Sequence, residues 1–381
     1  MSVVIVLAVV LIGAGLLGRP YIRGAAFVVQ AAGLNGAAHR LASWQFEAIN
    51  TVGPLHVSWR GGALRARAYQ PVRPRGARGI LLVPGVHAAG IDEPRLVGFA
   101  RDLAGMGHPV LTVELPDLAH YEITSRTTDM IEDAARWMID RPEYRGPDGR
   151  IGMMGISFGG GLTLVAAGRP SLGAGVAFAM SFGGHGDLPR TLRYLCTGIQ
   201  PDGAVRPPHD YGLAIVLLNV ADSVVPRDQV EPLRAAILSF LEASRLDMID
   251  KVKAAAEFAR AKSLEAALPD PARTYMGYVN ARDVAHLGPV LLPVLAERGG
   301  DPALSPSRSA PPHCPVYLLH GSDDNVVPAV ESTLLAQDLR SRGVRVELLE
   351  TPLITHAEVD RRSTLTAVWR LIHFWTKLLD E

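Results

Sequence analysis

A chain of 381 residues with 38 Lys plus Arg against 38 Asp plus Glu carries no formal net charge, which excludes the basic field that a nucleic-acid partner would require. Hydrophobic residues make up 48%, enough for a sizeable core in one large domain or two ordinary ones. The only cysteines, Cys196 and Cys314, cannot build a disulfide framework. With no C-x-x-C pair and no H-E-x-x-H, the sequence implies neither a metal nor a cofactor.

Val3 to Leu17 is an unbroken apolar run, at about 15 residues the short end of what spans a bilayer. No positive charge precedes it, and Arg19, Arg23 and Arg40 follow. A secretory signal carries its charges ahead of the apolar run and a small-residue cleavage site after it. The pattern therefore favours a membrane anchor over residues 1–24, ahead of a cleaved signal or a buried first helix. Arginines on the C-terminal flank place the bulk of the chain on the cytoplasmic side, with export as the alternative. The same segment holds Gly13-Ala14-Gly15-Leu16-Leu17-Gly18, a G-x-G-x-x-G that suggests dinucleotide binding. Its context disagrees: Pro20 and Gly24 are expected to break the helix that should start here, and no strand ending in an acidic residue follows about 20 residues on.

Leu55 to Trp59 and Ala63 to Tyr69 are alternating runs split by Gly61-Gly62, the pattern of a β-hairpin. Pro71 to Gly79 reads as a surface connection. From Ile80 the pattern becomes βαβα. Ile80 to Val83 is a buried strand, Asp92 is the expected N-cap of a helix through Ala104, and Val110 to Leu115 is the next strand. A helix over Thr128 to Ile139 precedes the strand Ile151 to Met154, and Val176 to Met180 is a further strand. Continuous apolar strands alternating with helices indicate a parallel sheet covered on both faces, whose ligands bind beyond the carboxyl ends of the strands.

Between residues 186 and 312 the strand signals stop. Val230 to Leu268 has helical spacing among punctuating prolines that include Pro226, Pro269 and Pro293, so this stretch is expected to be an inserted helical cap. The βα pattern resumes with strand Val316 to Leu319, helix Pro328 to Arg342, strand Val344 to Leu349 and a closing amphipathic helix Thr364 to Leu379. The core domain is thus interrupted, comprising residues 45–185 and 313–381.

Gly155-Ile156-Ser157-Phe158-Gly159 follows the strand Ile151 to Met154 and precedes a small-residue helix. It is a G-x-S-x-G elbow in a strand-turn-helix context, which lifts a serine hydroxyl clear of the sheet beside free backbone N–H groups. A nucleophilic serine needs a base, and the base needs a carboxylate to orient it. The later strands offer both at their C-terminal ends: Asp323 and Asp324 after Val316 to Leu319, and His356 after Val344 to Leu349. The order Ser, Asp, His is that of an α/β-hydrolase triad.

On these motifs the chain resembles the α/β-hydrolase superfamily, in the flavour of its dienelactone-hydrolase and prolyl-oligopeptidase-like branches. The resemblance covers Leu55 to Phe182 and Val316 to Leu379 and leaves the anchor and cap unmatched. It implies an α/β-hydrolase fold with a mostly parallel central sheet flanked by helices; the helical cap insertion and the N-terminal hydrophobic helix are expected from the residue pattern alone. It also implies Ser157 as nucleophile, His356 as base and Asp324 as orienter. Asp323 is the adjacent alternative and Asp187 a distant one. The backbone N–H groups of Val86 and Phe158 would form the oxyanion hole. The usual His-Gly before the first donor is replaced by Pro84-Gly85, which weakens the case for Val86. His87 could line the pocket or face solvent, His320 is expected to support its turn, and His185 and His209 fall at the start of the cap.

The expected activity is hydrolysis of carboxylic esters through an acyl-enzyme, on a small-molecule acyl substrate, with an anchor favouring lipophilic esters at a membrane. Peptidase, thioesterase and acyltransferase chemistry use the same groups. The non-enzymatic alternative is a membrane-tethered binding protein of this fold. The sequence leaves the oligomeric state open.

Overall fold

The structure is a computed structural model that describes residues 18–73, 77–247, 249–298, 300–354 and 365–381. The run Val3 to Leu17 and the expected base His356 lie outside the described residues.

In chain order, α1 covers residues 18–31 and is followed by α2 (Ala37–Ser43), β1 (Ile49–Trp59), β2 (Gly62–Pro71), β3 (Ile80–Val83), α3 (Pro94–Gly105) and β4 (Val110–Val113). Next come α4 (Pro116–Ala119), α5 (Ser125–Ile139), β5 (Ile151–Ile156), α6 (Phe158–Ala167) and β6 (Val176–Phe182). The insertion holds α7 (Leu188–Thr197), α8 (Asp210–Val224), α9 (Arg227–Asp247), α10 (Lys251–Ala267), α11 (Ala272–Ala281) and α12 (Val284–Arg298). The chain closes with β7 (Val316–Gly321), α13 (Val330–Ser341), β8 (Val346–Thr351) and α14 (Leu365–Leu379).

The strands form one 8-stranded sheet in the order β1-β2-β4-β3-β5-β6-β7-β8. β2 runs antiparallel to both β1 and β4, and every pair from β4 to β8 is parallel. Every residue of β3, β4 and β7 is buried, as expected of strands covered on both faces. One face packs against α1, α3 and α14 through Phe27, Leu103, Leu371 and Trp375. The other packs against α5, α6 and the inserted helices. The elements expected from Ile80 to Phe182 and from Val316 to Leu379 are present, with ends shifted by a few residues.

Three local expectations need correction. Pro20 and Gly24 do not break a helix, because α1 runs through both. Gly24 is where α1 meets α14: a Cβ there would overlap the Thr376 hydroxyl. The Phe27 ring is fully buried 4.5 Å from that of Trp375, a burial that stabilises by about 1.5–3 kcal/mol relative to exposure. The boundary drawn at residue 24 therefore falls inside a helix of the core. Second, α3 is capped by Glu93, whose carboxylate accepts from Leu96 N at 2.7 Å. Asp92 instead pairs with Arg65 and Arg67. Third, Pro293 does not end a helix but lies inside α12 with Pro289. The helical spacing over Val230 to Leu268 is realised as α9 and α10. The helix α12 keeps both prolines on one side. Both are exposed, opposite the buried stripe Leu287, Leu291 and Leu295, so the carbonyls they free can reach water.

The insertion leaves the core after β6 and returns before β7, and a buried polar seam stitches the two crossings together. Ser307 N donates to Gly186 O at 3.0 Å, and Leu188 N donates to Ser305 Oγ at 2.9 Å. Glu331 of α13, fully buried, accepts from Gly186 N and Asp187 N, both at 3.0 Å, and pairs with Arg190. Asp187 in turn caps α7 and pairs with Arg308 at 2.6 Å. Removing Glu331 would leave the buried Gly186 and Asp187 N–H groups without their acceptor, at about 1–3 kcal/mol each, so the base of the cap is fixed to the core.

Candidate active site

β5 delivers the chain to Ser157, the N-cap of α6, at φ 54 and ψ −135. A positive φ on a residue with a side chain costs on the order of 1–3 kcal/mol and persists only where its surroundings impose it. Here Ser157 N donates to Phe182 O of β6 at 2.7 Å, and Ser157 O accepts from Gly160 N at 2.8 Å. The flanking glycines are required by close approach: a Cβ on Gly155 would overlap the Gly159 carbonyl, and one on Gly159 would overlap Pro84 O. A Cβ on Gly85 would sit 3.2 Å from that of Ser157, so the loop after β3 lies directly against the serine.

That loop and α6 carry the two backbone N–H groups expected as oxyanion donors. Phe158 is the first residue of α6, where a backbone N–H has no partner within its helix. Val86 follows Gly85 in the loop and is half-buried. Both N–H groups therefore lie on segments adjoining the Ser157 side chain.

The carboxylates after β7 differ sharply. Asp323 has a side chain 70% exposed and pairs with Arg206 at 3.0 Å. Asp324 is 2% exposed. Its Oδ1 accepts from Val326 N at 2.8 Å and Val327 N at 3.0 Å. Its Oδ2 lies 3.4 Å from where a Cβ on Gly183 would stand. Gly183 follows β6, the strand between those that carry Ser157 and Asp324, so the carboxylate lies against the end of that strand. Asp187 is committed to its helix cap and to Arg308, which removes it as an orienter.

The cap reaches this loop. Asn325 O accepts from Tyr194 OH at 3.2 Å and from His209 N at 2.8 Å. Burial pushes the Tyr194 phenol up to about 12. Asn219 of α8 donates to Tyr121 O at 2.8 Å, and Tyr121 is held at φ 64. His87 is half-buried between core and cap. Its Nδ1 accepts from Ala89 N at 3.1 Å, and desolvation lowers its pKa despite nearby Glu93. His185 is fully buried and bonded to Leu304 O at 2.7 Å. Cys196 and Cys314 are free and buried, with burial pushing each thiol up to about 12. Among the described residues no group of His, Cys, Asp and Glu could hold a metal ion.

A mostly parallel sheet with β3 between β4 and β5, and a strained serine turning from β5 into α6, decides the architecture. The chain has the α/β-hydrolase fold. No family model matches it, and no curated protein matches its sequence. Among solved structures it is similar to a hyperthermophilic esterase from the archaeon Pyrobaculum calidifontis, at 16% identity over 96% of this chain and 93% of that one, with a TM-score of 0.47. It is also similar to a putative dienelactone hydrolase from Klebsiella pneumoniae, at 14% identity over 86% and 99% of the two chains, with a TM-score of 0.43. An acylaminoacyl peptidase from Pyrococcus horikoshii shares 12% identity over 91% of this chain and 43% of its own, with a TM-score of 0.46. The assignment of the hydrolase fold rests on strand order and elbow geometry, not on these scores.

Within that fold, Val86 and the pair Ser157 and Phe158 follow the adjacent strands β3 and β5, and Asp324 follows β7, separated from β5 by β6. What sequence reading missed is the pair Tyr121 and Asn219 linking cap to core, and the depth at which His320 sits. No local motif marks the first; the second had a signal in its position at the end of an apolar strand.

Proposed function

We propose that this protein is a serine hydrolase that cleaves carboxylic esters through an acyl-enzyme. The observation that carries the reading is Ser157 held at positive φ on a glycine-flanked elbow, with the loop after β3 pressed against it. Ser157 Oγ attacks the ester carbonyl, and His356, the base implied by the sequence, takes its proton and returns it to the departing alcohol. Asp324 orients that imidazole and stabilises its cationic form. The Val86 and Phe158 N–H groups stabilise the tetrahedral oxyanion, a contribution of about 3 kcal/mol for each donor. Water then clears the acyl group by the same steps in reverse.

The apolar run Val3 to Leu17, followed by Arg19 and Arg23, supports attachment to a membrane with the hydrolase domain on the cytoplasmic side. Among the described residues no helix is long and apolar enough to cross a membrane, and the run itself lies outside them. Pro20 and Tyr21 line a groove with Val316 and Arg345, at the ends of β7 and β8 remote from Ser157.

A chain-length series of p-nitrophenyl esters, with matched thioesters and an aminoacyl p-nitroanilide, tests the reading. Ester turnover that disappears in Ser157→Ala is the expected result. Faster cleavage of the anilide or the thioester would move the assignment to a peptidase or thioesterase. Ester turnover equal in both proteins would remove Ser157 from the chemistry.

A further inference from the structure

We infer that His320 is a positioning residue for the Asp324 carboxylate, acting as a fixed donor through Nε2–H; this rests on the hydrolase reading above. The ring lies in β7, four residues before Asp324, and is fully buried. A buried imidazole must satisfy both nitrogens, and its partners dictate how. Nε2 lies 2.9 Å from Val327 O, and a carbonyl only accepts, so Nε2 carries the proton. Nδ1 lies 2.6 Å from Ser332 Oγ on α13, a hydroxyl that can either donate or accept. A proton on Nε2 therefore leaves every partner satisfied.

The Nε2–H has a second neighbour, Asp324 Oδ2 at 3.5 Å. The same carboxylate has its Oδ1 held by Val326 N and Val327 N. The donor therefore acts on Asp324 in two ways: it places a polar hydrogen-bearing nitrogen 3.5 Å from one oxygen, and by holding the Val327 carbonyl it fixes the peptide whose N–H grips the other. Ser332 closes the arrangement, because its hydroxyl keeps the ring from turning. A carboxylate free to rotate would orient the base poorly, and misplacement of a catalytic group by about 1 Å can cost roughly 100-fold in rate. His320 touches neither substrate nor Ser157 in this assignment, so its effect falls on kcat and not on substrate binding.

Two amide substitutions separate donor from shape. His320→Gln places a side-chain N–H near the Nε2 position, whereas His320→Asn is too short to reach Val327 O or Asp324. With p-nitrophenyl butyrate and the full chain, His320→Asn is expected to lower kcat about 10- to 100-fold with KM within about twofold. His320→Gln is expected to recover most of that loss. The acid limb of the kcat/KM profile should also move to lower pH in His320→Asn, because a misplaced carboxylate no longer supports the protonated base. Thermal melts confirm that both variants are folded. If the asparagine variant does not fold, Ser332→Ala supplies the second arm, with a severalfold fall in kcat at unchanged KM expected. Equal kcat in the glutamine and asparagine variants, wild-type kcat in Ser332→Ala, or a loss confined to KM overturns the assignment. An active wild type with insensitive variants removes the role of His320 alone, whereas a wild type that turns over no ester removes the hydrolase reading and this role with it.

Discussion

Ser157→Ala is expected to lower kcat for p-nitrophenyl esters by about 10⁴- to 10⁶-fold, the loss typical when a nucleophile that works with its base and orienter as a unit is removed. Its stability should barely change, because alanine keeps the Cβ and the strained backbone. Ser157→Gly should be equally inactive yet melt at a higher temperature than Ser157→Ala. At φ 54 and ψ −135 glycine is free of the steric cost that serine and alanine carry, a relief of about 1 kcal/mol after its greater unfolded-state entropy is counted. The paired measurement is steady-state kinetics with thermal denaturation of the three proteins. Active-site strain traded against stability predicts this order of melting temperatures. The reverse order would mean that the elbow is not strained.

Asp324→Asn should lower kcat by about 10³- to 10⁴-fold, while Asp323→Asn should leave it within about twofold. The two residues are adjacent in sequence and differ in everything that matters. Asp323 shares an exposed ion pair with Arg206, an interaction worth no more than about 1 kcal/mol. Asp324 is buried, with two backbone N–H groups on Oδ1 and an imidazole N–H near Oδ2. Asparagine can satisfy the backbone donors with its oxygen, but its amide nitrogen then faces the His320 donor. The loss of negative charge also withdraws support from the protonated base. Kinetics on both variants over a range of pH measures the difference. Equal activity of the two would place the orienting carboxylate elsewhere.

Much of the core was legible because the interactions that define it are local. Ile80 to Val83 and the strand ahead of Gly155 are apolar runs bounded by turn residues, and the elbow needs its glycines within two residues of the serine. Asp324 could be singled out from a motif, and burial supplies the physical contrast with Asp323. What could not be read depends on distant partners. Gly24 looks like a helix breaker until Thr376 is brought against it by α14. Asp92 and Glu93 are both competent caps, and the choice turns on Arg65 and Arg67 in β2 claiming Asp92. Pro289 and Pro293 look like helix ends in sequence but fall on the exposed face of α12, where the cost of a proline is least. Glu331 reads as an ordinary residue of an amphipathic helix, yet it is the buried carboxylate that ties both crossings of the cap to the core.

The most direct test is intact-mass and peptide mapping after treatment with a fluorophosphonate, which phosphonylates an activated serine. The account predicts a single adduct, mapped to Ser157, on the wild-type chain and none on Ser157→Ala. A folded wild type that takes up no adduct, or one modified equally at another serine in both proteins, would contradict it.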